Sequence, residues 1–218
     1  MNFETSKILG GIGAMLLFVG IFPVINTYMA VPLVGVALIL IGLYGLSAYY
    51  RDRLIFTNAV MGVGVGAVGA VVGVAVLLTV VLSSVVDLLK AIYPGWNGDW
   101  ATLQSMTLNT IDIDFSAILP LLSSLLIVAV VSWIATIIAS FFIRRSMIRV
   151  SSKSQVGLFA TIGLLLIIGA VLTIVAVGFI LMWVTALLLA IAFFTLKPQP
   201  PQETYTAAHP STQQPTTS

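Results

Sequence analysis

The sequence predicts an all-α protein, an integral membrane bundle of six transmembrane helices with both termini in the cytoplasm. Three observations carry this. The 218 residues are 60% hydrophobic and 7% charged, with mean hydropathy +1.16, so there are too few polar groups to cover a water-soluble globule. The apolar residues fall into runs long enough to cross a hydrocarbon core of about 30 Å at about 1.5 Å per residue. The charges lie almost wholly between those runs, and their signs divide unequally between the two sides.

Residues 1–196 form the membrane domain, with spans at about 8–25, 30–49, 54–83, 117–143, 156–175 and 178–196. The polar opening MNFETSK lacks the basic n-region and cleavage site of a signal peptide, and is read as retained. Pro23 and the Asn26-Thr27 pair end the first span. Pro32 is tolerated in the first turn of the second. Tyr44, Tyr49 and Tyr50 mark an interface before the polar break Arg51-Asp52-Arg53.

The third apolar run outlasts the membrane, so its last turns, Ser83 to Ile92, are expected to emerge. Loop 93–115 follows, with Pro94-Gly95, Trp96, Trp100, Asp112 and Asp114, and Asp114 or Ser116 can cap the fourth helix. Arg144 to Gln155 reads as a basic break. From Val156 to Leu196 the chain is apolar for roughly twice a membrane thickness, which requires two spans with a turn near Val175 to Gly178. Residues 197–218 hold five of the nine prolines among Thr, Gln and Ser, a composition that cannot build a core and predicts a disordered cytoplasmic tail.

Orientation follows from the basic residues. Lys7, Arg51, Arg53, Arg144, Arg145, Arg149, Lys153 and Lys197 fall on the side of the termini, and only Lys90 lies opposite, with Asp87, Asp99, Asp112 and Asp114. Positive charge inside places both termini in the cytoplasm and the protein in the cell membrane. Arg51, Arg53, Arg144, Arg145, Arg149 and Lys153 act as topology determinants and can draw anionic headgroups.

Within the third span, Gly62, Gly66, Gly69 and Gly73 recur at i, i+4, i+7 and i+11 and share one nearly flat helix face. Such a face lets a neighbouring helix approach closely in lipid. This segment is expected to be the central helix of the bundle. A weak internal repeat relates the start of helices 1 and 2, SKILGGIGAMLLFVG, to that of helices 5 and 6, SQVGLFATIGLLLIIG, as parallel hairpins about the membrane normal.

Residues suited to chemistry are few. Ser124, Ser132, Thr136 and Ser140 form a hydroxyl stripe on the fourth helix, read either as a polar lining or as hydroxyls bonded back to their own helix or across to the glycine face. Asn58 is the strongest buried polar candidate, with a structural hydrogen bond expected. No ionisable residue lies well inside a span, unlike coupled transporters and voltage sensors, and no nucleophile, carboxylate pair or metal-ligand set equips an intramembrane enzyme. Asp112 and Asp114, with Asp99 or Asn97, make only a weak cation signal. Trp96 and Trp100 are read as interfacial anchors. There is no cysteine, and the one histidine is His209 in the tail. Catalytic residues, metal site and cofactor are all expected to be none.

The chain resembles an archaeal multi-pass membrane family known as domain of unknown function 996. The resemblance rests on NFETSKILGGIGAMLLFVG, GLYGLSAYYRDRLIFTNAVMG, FFIRRS, VGLFATIGLLLIIGAVLTIVAVGFILMW and AIAFF. Its distinctive parts are the Asn2 to Lys7 opening, the Tyr-Arg-Asp-Arg break with Asn58, and Arg144-Arg145. It implies an archaeal source and a cell-membrane location, and brings no activity or functional residues.

The expected function is a non-enzymatic membrane scaffold or accessory subunit that associates through small-residue helix faces. The alternative is an uncoupled channel or permease for a small solute. The expected partners are the lipid bilayer and either a second copy or another membrane protein, with no basic face to bind nucleic acid.

Overall fold

The computed structural model describes residues 2–20, 30–93, 95–103 and 118–198, and among these there is no strand. The helices are α1 (Phe3–Gly20), α2 (Ala30–Tyr49), α3 (Arg53–Val76), α4 (Leu82–Ile92), α5 (Leu119–Ser154), α6 (Leu158–Leu172) and α7 (Val177–Thr195). A five-residue π-helical segment, Leu77–Val81, joins α3 to α4 in one 40-residue rod. Counted with that rod as one, six helices among the described residues are long and apolar enough to cross a membrane.

Short connections, as between α2 and α3, α5 and α6, and α6 and α7, force sequential helices to pack antiparallel. Here they close a ring in chain order: α1 on α2, α2 on α3, α3 on α5, α5 on α6, α6 on α7, and α7 back on α1. Among the described residues no helix runs through the middle. The expectation that the glycine-rich segment is the central helix is therefore wrong; α3 is one wall of the ring, and its rod is the least buried of the six. The ring consists of three hairpins, α1–α2, α3–α5 and α6–α7, in which the second helix of each lies against the first of the next.

Boundaries follow local chemistry. Asp52 caps α3, its carboxylate accepting from the Leu54 amide at 3.0 Å. The basic stretch from Arg144, expected to be a break, is instead the last three turns of α5. It contains neither Gly nor Pro, and cations near a helix C-terminus are favourable. α5 ends at Ser154, beyond which Gln155 takes a left-handed φ of 60°. The turn expected near Val175 to Gly178 is present: a 3₁₀ turn, Thr173–Val175, leads to Ala176 at φ 64° and straight into α7. Gly178 permits this turn, because a β-carbon there would strike the backbone of Gly169 and Thr173.

The tightest packing lies at the end of the ring that carries the termini, here the terminal end. Phe159 of α6 meets Phe193 of α7 edge-on at 5.5 Å, and both are fully buried with Leu46, Ile55 and Val150. At the opposite end two indoles satisfy carbonyls that a helix C-terminus leaves without a partner. Trp133 of α5 donates to Ala170 and Val171 at the end of α6, and Trp183 of α7 donates to Phe18 at the end of α1. In each case the second helix of a hairpin finishes the first helix of the next. α2 has no tryptophan, and α3, its neighbour, does not stop at that level. It passes through the π segment, where the Thr79 hydroxyl bonds to the Ala75 carbonyl and the Leu82 amide reaches back to Leu77. Beyond the ring, α4 and the first turns of α5 pack against one another.

Candidate functional site

The glycine face of α3 is consumed inside the chain. A β-carbon on Gly62 would lie 2.9 Å from the Ala139 carbonyl, on Gly69 2.5 Å from the Ala135 β-carbon, and on Gly73 3.1 Å from the Ser132 hydroxyl; Gly66 has more room, 3.8 Å from Ala139. All four thus face α5, where Ala135, Ala139 and Ser132 supply a matching small-residue stripe. A second close crossing, not anticipated from the sequence, joins α1 to α2: a β-carbon on Gly13 would lie 2.6 Å from the Gly35 carbonyl, and one on Gly35 2.7 Å from that of Gly13.

The hydroxyl stripe does not line the middle of the ring. Ser124 donates to the Leu121 carbonyl and Thr136 to that of Ser132, the back-bonding expected of hydroxyls in an apolar helix. Ser124 and Ser140 are buried. Ser132 and Thr136 border a recess of about 720 Å³ between α5, the α6–α7 turn and α7, together with Thr173. Asn58 is half-buried on α3 and has no side-chain hydrogen bond among the described residues, so the structural bond expected of it is not made there.

The basic residues separate into different roles. Arg149 pairs with Asp52 at 3.3 Å, tying the start of α3 to α5, and the buried Ser146 hydroxyl donates to the Ile55 carbonyl at 2.6 Å across the same seam. Together these clamp the terminal end of the α3–α5 pair. Arg145 lies 4.5 Å over the Phe141 ring. Arg144 lays its alkyl stem on Gly163, with its Nε buried and without a hydrogen-bond partner among the described residues. Arg51, Arg53 and Lys153 are exposed. Beside them, Tyr50 has a buried hydroxyl with no hydrogen-bond partner among the described residues, and burial first, then Tyr49, pushes its ionisation up to about 12. Ser146, Trp133 and Trp183 were not singled out from the sequence. The two indoles carried a signal, since an indole N–H inside an apolar span must find an acceptor.

Asp112, Asp114, Ser116 and His209 lie outside the described residues. In the outer turn the Asp99 carboxylate accepts from the Ala101 amide, and the Asn97 side chain accepts from the Asp99 amide. Trp96 is buried, donates to the Asp99 carbonyl at 2.6 Å, and meets Trp100 edge-on. Among the described residues no group of three or more acidic or histidine side chains comes together.

The feature shared by all six walls is a partly enclosed central cavity of about 280 Å³. Leu17, Val36, Val63, Ile143, Leu166 and Leu189 each represent one helix in its lining, and Thr185 is the only residue there with a side-chain hydroxyl. That hydroxyl donates to the Leu181 carbonyl at 2.6 Å. Toward the terminal end the cavity is blind, because Leu46, Ile55, Val150 and Phe193 below it are fully buried.

A closed ring of six apolar helices around an apolar cavity defines a polytopic bundle of membrane type. The chain belongs to the family described as "Protein of unknown function (DUF996)", which matches residues 31–187. It is also similar to an uncharacterised protein of Methanocaldococcus jannaschii, 29% identical over 196 residues that cover 90% of this chain and 94% of the relative. No solved structure matches the chain.

Proposed function

We propose that this protein is a non-enzymatic scaffold or accessory subunit of the cell membrane, with cytoplasmic termini, and that another membrane-embedded protein docks on the α3–α4 rod and α5. The observation that supports this reading is the length of the pair. From Leu54 to Leu82 the rod carries no charged residue; at about 1.5 Å per residue that run is roughly 40 Å, against a hydrocarbon core of about 30 Å. Tilting is the usual remedy for such excess, but the clamp at Asp52, Arg149 and Ser146 and the packing on α5 join the rod to a ring of shorter helices. Its outward side chains are left open, with Val71 70% and Leu126 of α5 65% exposed. A partner helix covers that surplus apolar length.

This changes the expected mode of association. The small-residue faces hold the chain to itself, so the docking surface is the branched, bulky side of the pair. The permease reading loses its main support, since the hydroxyl stripe is not axial and the central cavity is apolar and blind at one end. Native mass in a mild detergent, with every co-purifying chain identified, tests the proposal. A stoichiometric second protein released by Val71→Ser with Leu126→Ser supports it; a bare monomer overturns it. Orientation is tested by accessibility labelling: Ala101→Cys is expected to react from outside intact cells and Ser152→Cys only after permeabilisation.

A further inference from the structure

We propose that the central cavity is a binding site for one hydrocarbon chain of a bilayer lipid, entered from the recess beside Thr173 past Met182. The cavity's size suits a stretch of chain. At about 280 Å³ it is about twice the ~150 Å³ apolar cavity known to stay dry and accept benzene. Its chemistry excludes water, which needs roughly two to four polar partners. The one hydroxyl on the lining, Thr185, already gives its proton to Leu181. A dry void of this size forfeits dispersion contacts with its lining, and a hydrocarbon filler restores them without asking for a hydrogen bond.

The route is set by a shared residue. Met182 lines both the central cavity and the recess of about 720 Å³. No other described lining residue is common to the two, so the proposed route passes it. Met182 sits 3.0 Å from where a β-carbon on Gly169 would stand, and its sulfur lies 3.9 Å from the Thr173 hydroxyl. An unbranched thioether with three rotatable bonds can swing aside without disturbing the backbone. The mouth of the recess is flanked by Ile174 and Phe179, 64% and 63% exposed. At membrane depth the phase in contact with such a mouth is the acyl region of the bilayer, so the occupant is a lipid chain rather than a water-borne solute. The proposal does not depend on the accessory role, since a lipid chain can fill the ring whether or not a partner sits on the rod.

The test uses the full chain reconstituted in phosphatidylcholine vesicles with a trace of phosphatidylcholine bearing a diazirine at the end of one acyl chain. After irradiation, adducts are mapped by peptide mass spectrometry. Wild-type protein is expected to carry adducts on Leu166, Ala186 or Leu189 as well as on outward residues such as Val71 and Leu78. Ala186→Phe, which fills the cavity, should lose the inner adducts and keep the outer ones, while Met182→Ala should raise the inner yield relative to the outer. Outward adducts alone in the wild type would overturn the site. Inner adducts that persist in Ala186→Phe would do the same, and an inner yield indifferent to Met182→Ala would overturn the route. The wild-type result decides the matter of the site even if Ala186→Phe fails to fold.

Discussion

Replacing single glycines of α3 by alanine separates contact from composition, because at Gly64, Gly66 and Gly69 the same substitution meets three different surroundings on one helix. At Gly64 a new β-carbon meets nothing within 4 Å, and at Gly66 it reaches Ala139 at an ordinary 3.8 Å. Relief of glycine's backbone freedom should then stabilise Gly64→Ala and Gly66→Ala by about 0.5–1 kcal/mol each. At Gly69 the new atom would lie 2.5 Å from the Ala135 β-carbon, where carbon pairs need about 3.5–4.0 Å. α3 and α5 must part by roughly an ångström. Overpacking of this kind costs about 1–3 kcal/mol, so after the propensity gain Gly69→Ala should be destabilised by about 0.5–2 kcal/mol. The assay is reversible unfolding in mixed micelles of a mild detergent with dodecyl sulfate, followed by tryptophan fluorescence. Ala135→Gly provides the internal check: combined with Gly69→Ala it returns the missing space, and the pair should show a favourable coupling of about 1 kcal/mol. Equal effects at Gly64 and Gly69, or no rescue by Ala135→Gly, would refute the intramolecular reading of the glycine face.

The terminal clamp should also be measurable. Asp52→Ala removes a helix cap and the partner of Arg149, for an expected loss of about 1–2 kcal/mol, most of it from the cap because Arg149 is partly exposed. Ser146→Ala deletes the 2.6 Å bond to Ile55 and should cost about 1 kcal/mol in the same titration. Tyr50 offers a pH signature. Its ionisation is raised from 10 to about 12 in the folded protein, so above pH 10 the unfolded chain loses a proton that the folded chain keeps, and stability falls as pH rises from 10 toward 12. Tyr50→Phe should remove that part of the decline. It should also be neutral or stabilising at pH 7, since it deletes a buried hydroxyl that has no partner among the described residues.

How much of this was legible in the sequence depends on the range over which each feature is encoded. Spans, their number and the turn at Ala176 follow from local hydropathy and membrane thickness, and even a turn without polar markers was placed by length alone. The basic segment after Ile143 shows the limit of that reasoning: charge marks where a helix leaves the membrane, whereas a helix ends only where caps, Gly or Pro end it. The glycine stripe on α3 was equally plain, but a flat face does not name its partner. Ser132, Ala135 and Ala139 are distant in the chain from the glycines they face, and they meet Gly73, Gly69, and Gly62 with Gly66 respectively only because α3 and α5 form a hairpin.

By itself the sequence determined an all-helical chain of membrane type, the residue classes available to it, and the faces on which small residues would gather. Tertiary structure alone decided that the six helices close into a ring, that the glycine-rich helix is a wall rather than an axis, and that Met182 borders both a central cavity and a second recess. The physical reason is that hydropathy and helix period are properties of neighbouring residues. A cavity is a property of the distances between helices, set by which small side chains meet across each seam.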